Sequence, residues 1–252
     1  MAAAYDSYDY SAYWEGRDYE HNSEVVALKK ILEKIPKIGT IIDIGAGFGR
    51  LTPVYAFRGK KVIIAEPSAK LLSLARKNLT NYQNLEFVQA SVEILSEKVP
   101  RGRADLVLMV RVAHHLQNLE SAFRAVNSLL KPGGFFVLEF ANKLHFKAIF
   151  KELLRGNINY SSELSPKDVR SPKSIRNHTI SFLNHHPKNV DLILEKTGFK
   201  VLDKLSVSNF RNRILKKYLP MELLTSLESA FQKPLSYINF GPSIFVLAQK
   251  KS

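Results

Sequence analysis

Cysteine is missing from this 252-residue chain, tryptophan occurs once and methionine three times. Without a thiol there is no disulfide framework, no thiolate metal site and no Cys nucleophile. The absence fits a reducing compartment. No stretch approaches the roughly 18 consecutive apolar residues of a membrane span. The opening segment, MAAAYDSYDYSAYWEGRDYEH, is acidic and aromatic, and it lacks the cationic and apolar regions of a secretory signal. These features lead us to expect a cytoplasmic protein with no transmembrane segment. Acidic residues are also scarce: 23 Asp+Glu stand against 37 Lys+Arg, a formal net charge of +14. The excess is uneven, because residues 1–142 carry 18 basic against 15 acidic residues and residues 143–252 carry 19 against 8. Such a surface suits an anionic partner (a lipid headgroup, a nucleic acid or an acidic metabolite), although a merely solvated basic face reads the same way.

What is present supports one substantial core, since 45% of the residues are hydrophobic. A helix is predicted from Tyr19 to Ile35, with Val25, Leu28, Ile31, Leu32 and Ile35 at helical spacing. Strands and helices then alternate. Ile41–Ile44, Lys61–Ala65, Leu85–Gln89, Ala104–Val110 and Phe135–Phe140 read as strands, with helices at Leu51–Phe57, Ala69–Leu79 and Leu119–Leu130. Repeated strand–helix–strand units imply a parallel sheet covered on both faces, with ligands at the carboxyl ends of its strands. Residues 143–185 break the rhythm, and a helix at His186–Thr197, a strand at Val201–Val207, a helix at Met221–Phe231 and a strand at Ser243–Gln249 close the chain. The expected organisation is a capping segment and helix at 1–37, a core at 38–141, an inserted lid at 142–186 and the last two strands within 187–252.

The strongest motif is Asp43-Ile44-Gly45-Ala46-Gly47-Phe48-Gly49, between a strand and a helix. Glycines there permit a tight turn and close backbone approach to a ligand. A dinucleotide loop spaces its glycines G-x-G-x-x-G/A, whereas this one reads G-x-G-x-G and continues with Arg50. Asp43 would repel a pyrophosphate but would favour a ligand carrying an ammonium and a sulfonium. Glu66 ends the second strand in Val62–Ser68, and its carboxylate suits the two hydroxyls of a ribose. A helix N-terminal acid stabilised by the dipole is the competing reading.

The set Asp43–Gly49, Glu66, Gln89–Glu93, Asp105–Leu116 and Leu130–Gly134 resembles the class I S-adenosylmethionine-dependent methyltransferases. It is similar to the methyltransferase type 11 group, which contains the ubiquinone and menaquinone methyltransferases. The resemblance and the strand count imply a Rossmann-like, doubly wound, mostly parallel seven-stranded sheet with helices on both faces and a basic helical insertion between strands five and six. The implied cofactor is S-adenosyl-L-methionine. By position, Gly45, Ala46, Gly47 and Gly49 would meet its methionine moiety, Glu66 and Pro67 its ribose, Ser91 and Val92 its adenine, and Val110 and Arg111 would line the pocket below the sulfonium. Ser91 stands where the family often has Asp, so that contact would lack a charge.

Methyl transfer is an in-line displacement, and a base is needed only where the acceptor holds a proton. His115, in the His114-His115 pair after the fourth strand, is the candidate for acceptor contact or general base; packing and capping are the alternative role. His185-His186-Pro187 reads as a helix cap and lid contact, because no further ligand completes a metal set. Tyr13 or Arg17 could meet the methionine carboxylate, or else staple the first helix to the sheet. Lys143, Lys147, Lys151 and Arg155 are spaced by four, opposite Phe146, Ile149, Phe150, Leu153 and Leu154. That pattern describes a helix lying on an anionic membrane, or a lid helix packed on the body. The expected acceptor is a small or lipid-like molecule under the basic lid, with nucleic acid ranked second because the basic residues are not interleaved with aromatics. A non-catalytic cofactor-binding partner, an aminopropyl transferase and an NAD dehydrogenase are disfavoured by the cofactor motifs, by Val110-Arg111-Val112 and by Asp43 with Arg50 respectively.

Overall fold

The computed structural model describes residues 10, 12–177 and 179–251, so the first nine residues of the N-terminal cap lie outside the described residues. Helix α1 (Asp18–Glu33) precedes strand β1 (Thr40–Ile44). There follow α2 (Thr52–Tyr55), β2 (Lys61–Ala65), α3 (Ala69–Asn78), β3 (Leu85–Val88), α4 (Val92–Lys98), β4 (Ala104–Met109), α5 (Leu119–Leu129) and β5 (Leu130–Ala141). The chain then continues through α6 (Phe146–Leu154), β6 (Lys167–Asp168), α7 (Pro172–Arg176), β7 (Leu183–Asn184), α8 (Pro187–Lys196), β8 (Phe199–Val207), α9 (Arg213–Tyr218), α10 (Met221–Ser236) and β9 (Ser243–Lys250).

Seven strands form one sheet in the order β3-β2-β1-β4-β5-β9-β8. The first five run parallel, while β9 is antiparallel to both β5 and β8. This is the Rossmann-like, mostly parallel sheet expected. Strands buried on both faces read as apolar runs rather than alternations, and Ile41, Ile42 and Ile44 of β1 are all buried. Two cores cover the faces. One joins Val92, Leu95, Phe123, Val126 and Leu194 from α4, α5 and α8; the other joins Leu28, Ile31, Val54 and Leu72 from α1, α2 and α3.

Three helices are not evident from the apolar pattern: α4, the five-residue α7 and α9. In α4 only Val92 and Leu95 reach the core, too short a repeat for periodicity to reveal; α9 buries nothing. Strand β5 also starts earlier than expected. Leu130 pairs with Ala104 before the register shifts, and Gly133 takes a φ of 72° between them.

The segment between β5 and α8 departs most from expectation. His145 caps α6 by accepting the Ala148 N–H, so the helix begins at Phe146 and Lys143 is not part of it. Lys143 is instead 1% exposed, with its ammonium donating to the Glu163 and Ser165 carbonyls at 2.7 and 2.9 Å. The cationic stripe is therefore Lys147, Lys151 and Arg155. No residue of α6 is fully buried, yet the helix rests on the body through Phe146, whose ring stacks on Phe240 at 5.3 Å. Among the described residues no helix is long and apolar enough to cross a membrane.

Candidate active site

The carboxyl ends of the five parallel strands meet along one edge, and the glycine turn, Glu66, the Ser91–Val92 turn and Arg111 leave from there. After β1 the chain turns through Gly45 (φ 70°), Gly47 (φ 59°) and Gly49 (φ 81°), all left-handed. The Gly45 and Ala46 N–H groups both donate to Ala65 O, at 2.8 and 3.2 Å, which locks the turn against β2. A Cβ on Gly45 would stand 2.3 Å from Val112 Cγ2, and one on Gly49 would stand 2.5 Å from Leu79 Cδ1. Gly45 thus lets the turn approach the β4 loop, while Gly49 serves helix packing.

Glu66 leaves β2 and is buried. Its two carboxylate oxygens accept from the Gly47 and Ser68 N–H groups, each at 2.9 Å, so its orientation is fixed by backbone. Beside it lies a cavity of about 310 Å³ walled by Gly45, Gly47, Glu66, Pro67, Ser91, Val92, Val112, His115 and Ile180 among others. Most of the residues singled out in the sequence converge here. Ala46, Asp43 and Val110 instead line a crevice on the far side of Gly45, with Tyr10, Arg50, Tyr55 and Arg111. Tyr55 donates its hydroxyl to Asp43. Burial pushes the Asp43 carboxyl up to about 7, with Glu66 adding to that and Tyr55 and Arg50 opposing it.

At the centre of this arrangement stands Glu24, a residue outside every sequence motif. Glu24, on α1, is buried and takes an ion pair from Arg50 and another from Arg111 at 2.7 Å. Burial disfavours its charge, but the two guanidinium groups outweigh that and hold the carboxyl below its usual range. Trp14 covers both cations, its ring centroid 3.4 Å from the Arg50 guanidinium carbon and 4.8 Å from that of Arg111. Arg111 has a φ of 61°, which is costly for a residue with a side chain. It is held there because its N–H donates to Glu139 at 2.8 Å while its side chain is pinned by Glu24. The available signal was a polar position, Glu24, on the face of α1 that carries Ala27, Leu28 and Ile31.

Arg111 also lines a second cavity, of about 600 Å³, together with Tyr13, His114, Glu139, His145, Lys147, Phe182, Arg211 and Phe240. The two histidines part company: His114 lines this cavity and His115 the smaller one. His115 Nδ1 lies 2.7 Å from Ser181 O. His114 Nδ1 is buried without a hydrogen-bond partner. Burial, then the adjoining His115 and Arg111, hold His114 well below the usual imidazole range, and burial lowers His115 as well. Both rings are neutral near pH 7. Tyr13 reaches the larger cavity, but Arg17 lies over the Tyr13 ring at 4.0 Å and lines none of the three cavities. The cations at the far side of Gly45 are Arg50 and Arg111 instead. His185 and His186 bind the Ala113 and Ser161 carbonyls at 3.0 and 3.1 Å, and His186 caps α8. Among the described residues no group of three or more His, Asp or Glu is placed to hold a metal ion.

Comparison with known proteins bears on the domain and the fold. Residues 42–138 match the methyltransferase domain family. The tRNA 5-carboxymethoxyuridine methyltransferase of Escherichia coli K12 is 26% identical over 235 residues, covering 88% of this chain and 85% of that protein. The ubiquinone biosynthesis O-methyltransferase of Dechloromonas aromatica is 28% identical over 139 residues, covering 51% of this chain and 60% of its own. In fold, the S-adenosylmethionine dependent methyltransferase of Mesorhizobium loti superimposes with a TM-score of 0.61 at 16% identity, covering 90% of this chain and 98% of that one.

Proposed function

Because this chain is a class I S-adenosylmethionine-dependent methyltransferase of the type 11 group, we propose that it methylates a planar, anionic, lipid-like acceptor held in the 600 Å³ cavity. The residues fit the cofactor. The smaller cavity has the size of a small-molecule site, with Glu66 as a fixed carboxylate for the ribose hydroxyls and the Ser91–Val92 turn for the adenine. Asp43 and Arg111 then face the ammonium and the carboxylate of the amino-acid end. When bound, S-adenosyl-L-methionine supplies a methyl group that an electron-rich atom displaces in line from sulfur. Arg111 walls both cavities, so it sits between donor and acceptor.

One observation carries the acceptor reading. The larger cavity combines the flat rings of Tyr13, Phe182 and Phe240 with the cations Lys147 and Arg211, and it opens beside the exposed apolar helix α6. An acceptor that arrives ionised needs no base. A second reading has its own support. The tRNA methyltransferase relative aligns over most of the chain, beyond the shared domain, and a carboxymethoxy-substituted base is also planar and anionic. Labelled S-adenosylmethionine incubated with the protein and a cell extract tests the two. Label is expected in the organic-solvent extract; label confined to tRNA would replace the first reading by the second.

Two further outcomes are expected. Gly45→Ala should weaken S-adenosylhomocysteine at least about tenfold in calorimetry, because the added carbon meets Val112 and φ is left-handed. His114→Asn should leave that affinity within roughly twofold yet cut label transfer about tenfold, whereas His115→Asn should weaken the cofactor first. The reverse assignment would return the acceptor role to His115.

A further inference from the structure

We propose that α6 is the site by which this enzyme docks on an anionic lipid surface, so that its acceptor enters the larger cavity directly from the bilayer; the inference rests on the lipid-like acceptor reading. The helix is nine residues long and buries none of them. Phe146, Ile149, Phe150 and Leu153 follow helical spacing and share one face. Phe146 is 55% exposed, Phe150 54%, Leu153 58% and Leu154 73%. Ile158 extends the exposed apolar row just past the helix end. A soluble body rarely leaves so contiguous an apolar face to water without a partner.

The helix is nonetheless firmly set. His145 caps it, the Phe146 N–H donates to Phe240 O at 3.0 Å, and the Phe146 ring stacks on Phe240 at 5.3 Å. Lys147 Nζ donates to Arg211 O at 3.0 Å, which joins α6 to the turn that leads into α9. The ledge is therefore formed before anything binds it.

Charge selects the occupant. Lys147, Lys151 and Arg155 border the apolar row, and α9 adds Arg213 and Lys217 beside exposed Ile214 and Tyr218, while its Lys216 turns inward to pair with Glu20 at 3.0 Å. The acid on α6, Glu152, is taken up by Arg155 and Asn157. Apolar side chains bordered by Lys and Arg suit the headgroup boundary of an anionic membrane, where both kinds of side chain are satisfied at once. The position is apt, since Phe146, Lys147 and Arg211 are at once part of this surface and of the acceptor cavity wall.

Flotation of the full chain with vesicles tests the docking without any acceptor. We expect the protein to float with vesicles of phosphatidylcholine and phosphatidylglycerol, and to stay behind with phosphatidylcholine alone. The double variant Phe150→Glu, Leu154→Glu and the single variant Lys151→Glu should each lower the bound fraction roughly tenfold or more, while S-adenosylhomocysteine affinity, read by calorimetry, stays unchanged. Failure of the native chain to float, or flotation that the variants leave intact, would overturn the docking. So would a native dimer in size-exclusion that the double variant dissolves, or retention of tRNA that it abolishes, where vesicles are not bound. Flotation as expected, with no label entering detergent-dispersed lipid extract, would keep the docking and remove the acceptor reading.

Discussion

Asp43→Asn is expected to weaken S-adenosylmethionine about tenfold to a hundredfold while making the ligand-free protein more resistant to heat at pH 8. The two effects share one cause. Asp43 is 6% exposed, and burial lifts its carboxyl from 3.8 to about 7. The folded chain therefore holds a proton that the unfolded chain releases between these values, so this group's contribution to stability falls as pH rises from about 4 to about 7. Below about 4 both states are protonated and nothing is lost. Above 7 the buried charge costs up to about 4 kcal/mol at roughly 1.4 kcal/mol per unit. Asparagine still accepts from Tyr55 and carries no charge. It should raise the melting temperature by up to roughly 10 °C at pH 8 and by little at pH 4. It also removes the carboxylate that would pair with the cofactor's ammonium, a charge-assisted contact that accounts for the lost affinity. Melting curves at the two pH values and a calorimetric titration check both halves. A variant that melts lower at pH 8 would contradict the assignment of Asp43 as a charge held ready for a cationic ligand.

Glu24→Ala should be among the most damaging single substitutions. Glu24 is 1% exposed and is the shared ion-pair partner of Arg50 and Arg111. Taking one partner from a buried pair leaves an uncompensated charge, at a cost of about 3–5 kcal/mol. Here two guanidinium groups are stranded beneath Trp14. In a chain of this size the loss corresponds to roughly 10 °C in melting temperature. Arg111 would lose the anchor that sustains its left-handed backbone, so cofactor affinity should fall along with stability. Urea denaturation and calorimetry on the same preparation read the two together. Glu24→Ala melting within a degree or so of the native chain would show that the cluster is not what holds Arg111 in place.

These two residues also mark where the sequence was and was not legible. The glycine turn, Asp43 and Glu66 stand within one strand–turn–helix–strand stretch, so their chemistry could be read from neighbours in the chain. Glu24 could not, because its partners lie 26 and 87 residues away and only the packing of α1 on the strand edge unites them. The adjacent pair His114-His115 shows another limit. They sit on a single turn of 3₁₀ helix and line different cavities, and no spacing rule says which ring goes where. Lys143 matched the four-residue spacing of the cationic stripe, yet the cap at His145 starts the helix after it and sends its ammonium inward. The positions of the sheet strands along the chain, by contrast, followed from apolar runs and turn residues, because a doubly covered parallel sheet imposes that pattern locally.

Cofactor choice rests on a turn and two carboxylates that accept a cationic nucleoside donor and refuse a pyrophosphate. A thermal-shift titration of the native chain, with S-adenosylhomocysteine and NAD in parallel, tests this most directly. S-adenosylhomocysteine should raise the melting temperature in a saturable way and NAD should leave it unmoved; a saturable shift from NAD with none from S-adenosylhomocysteine would contradict the account at its root.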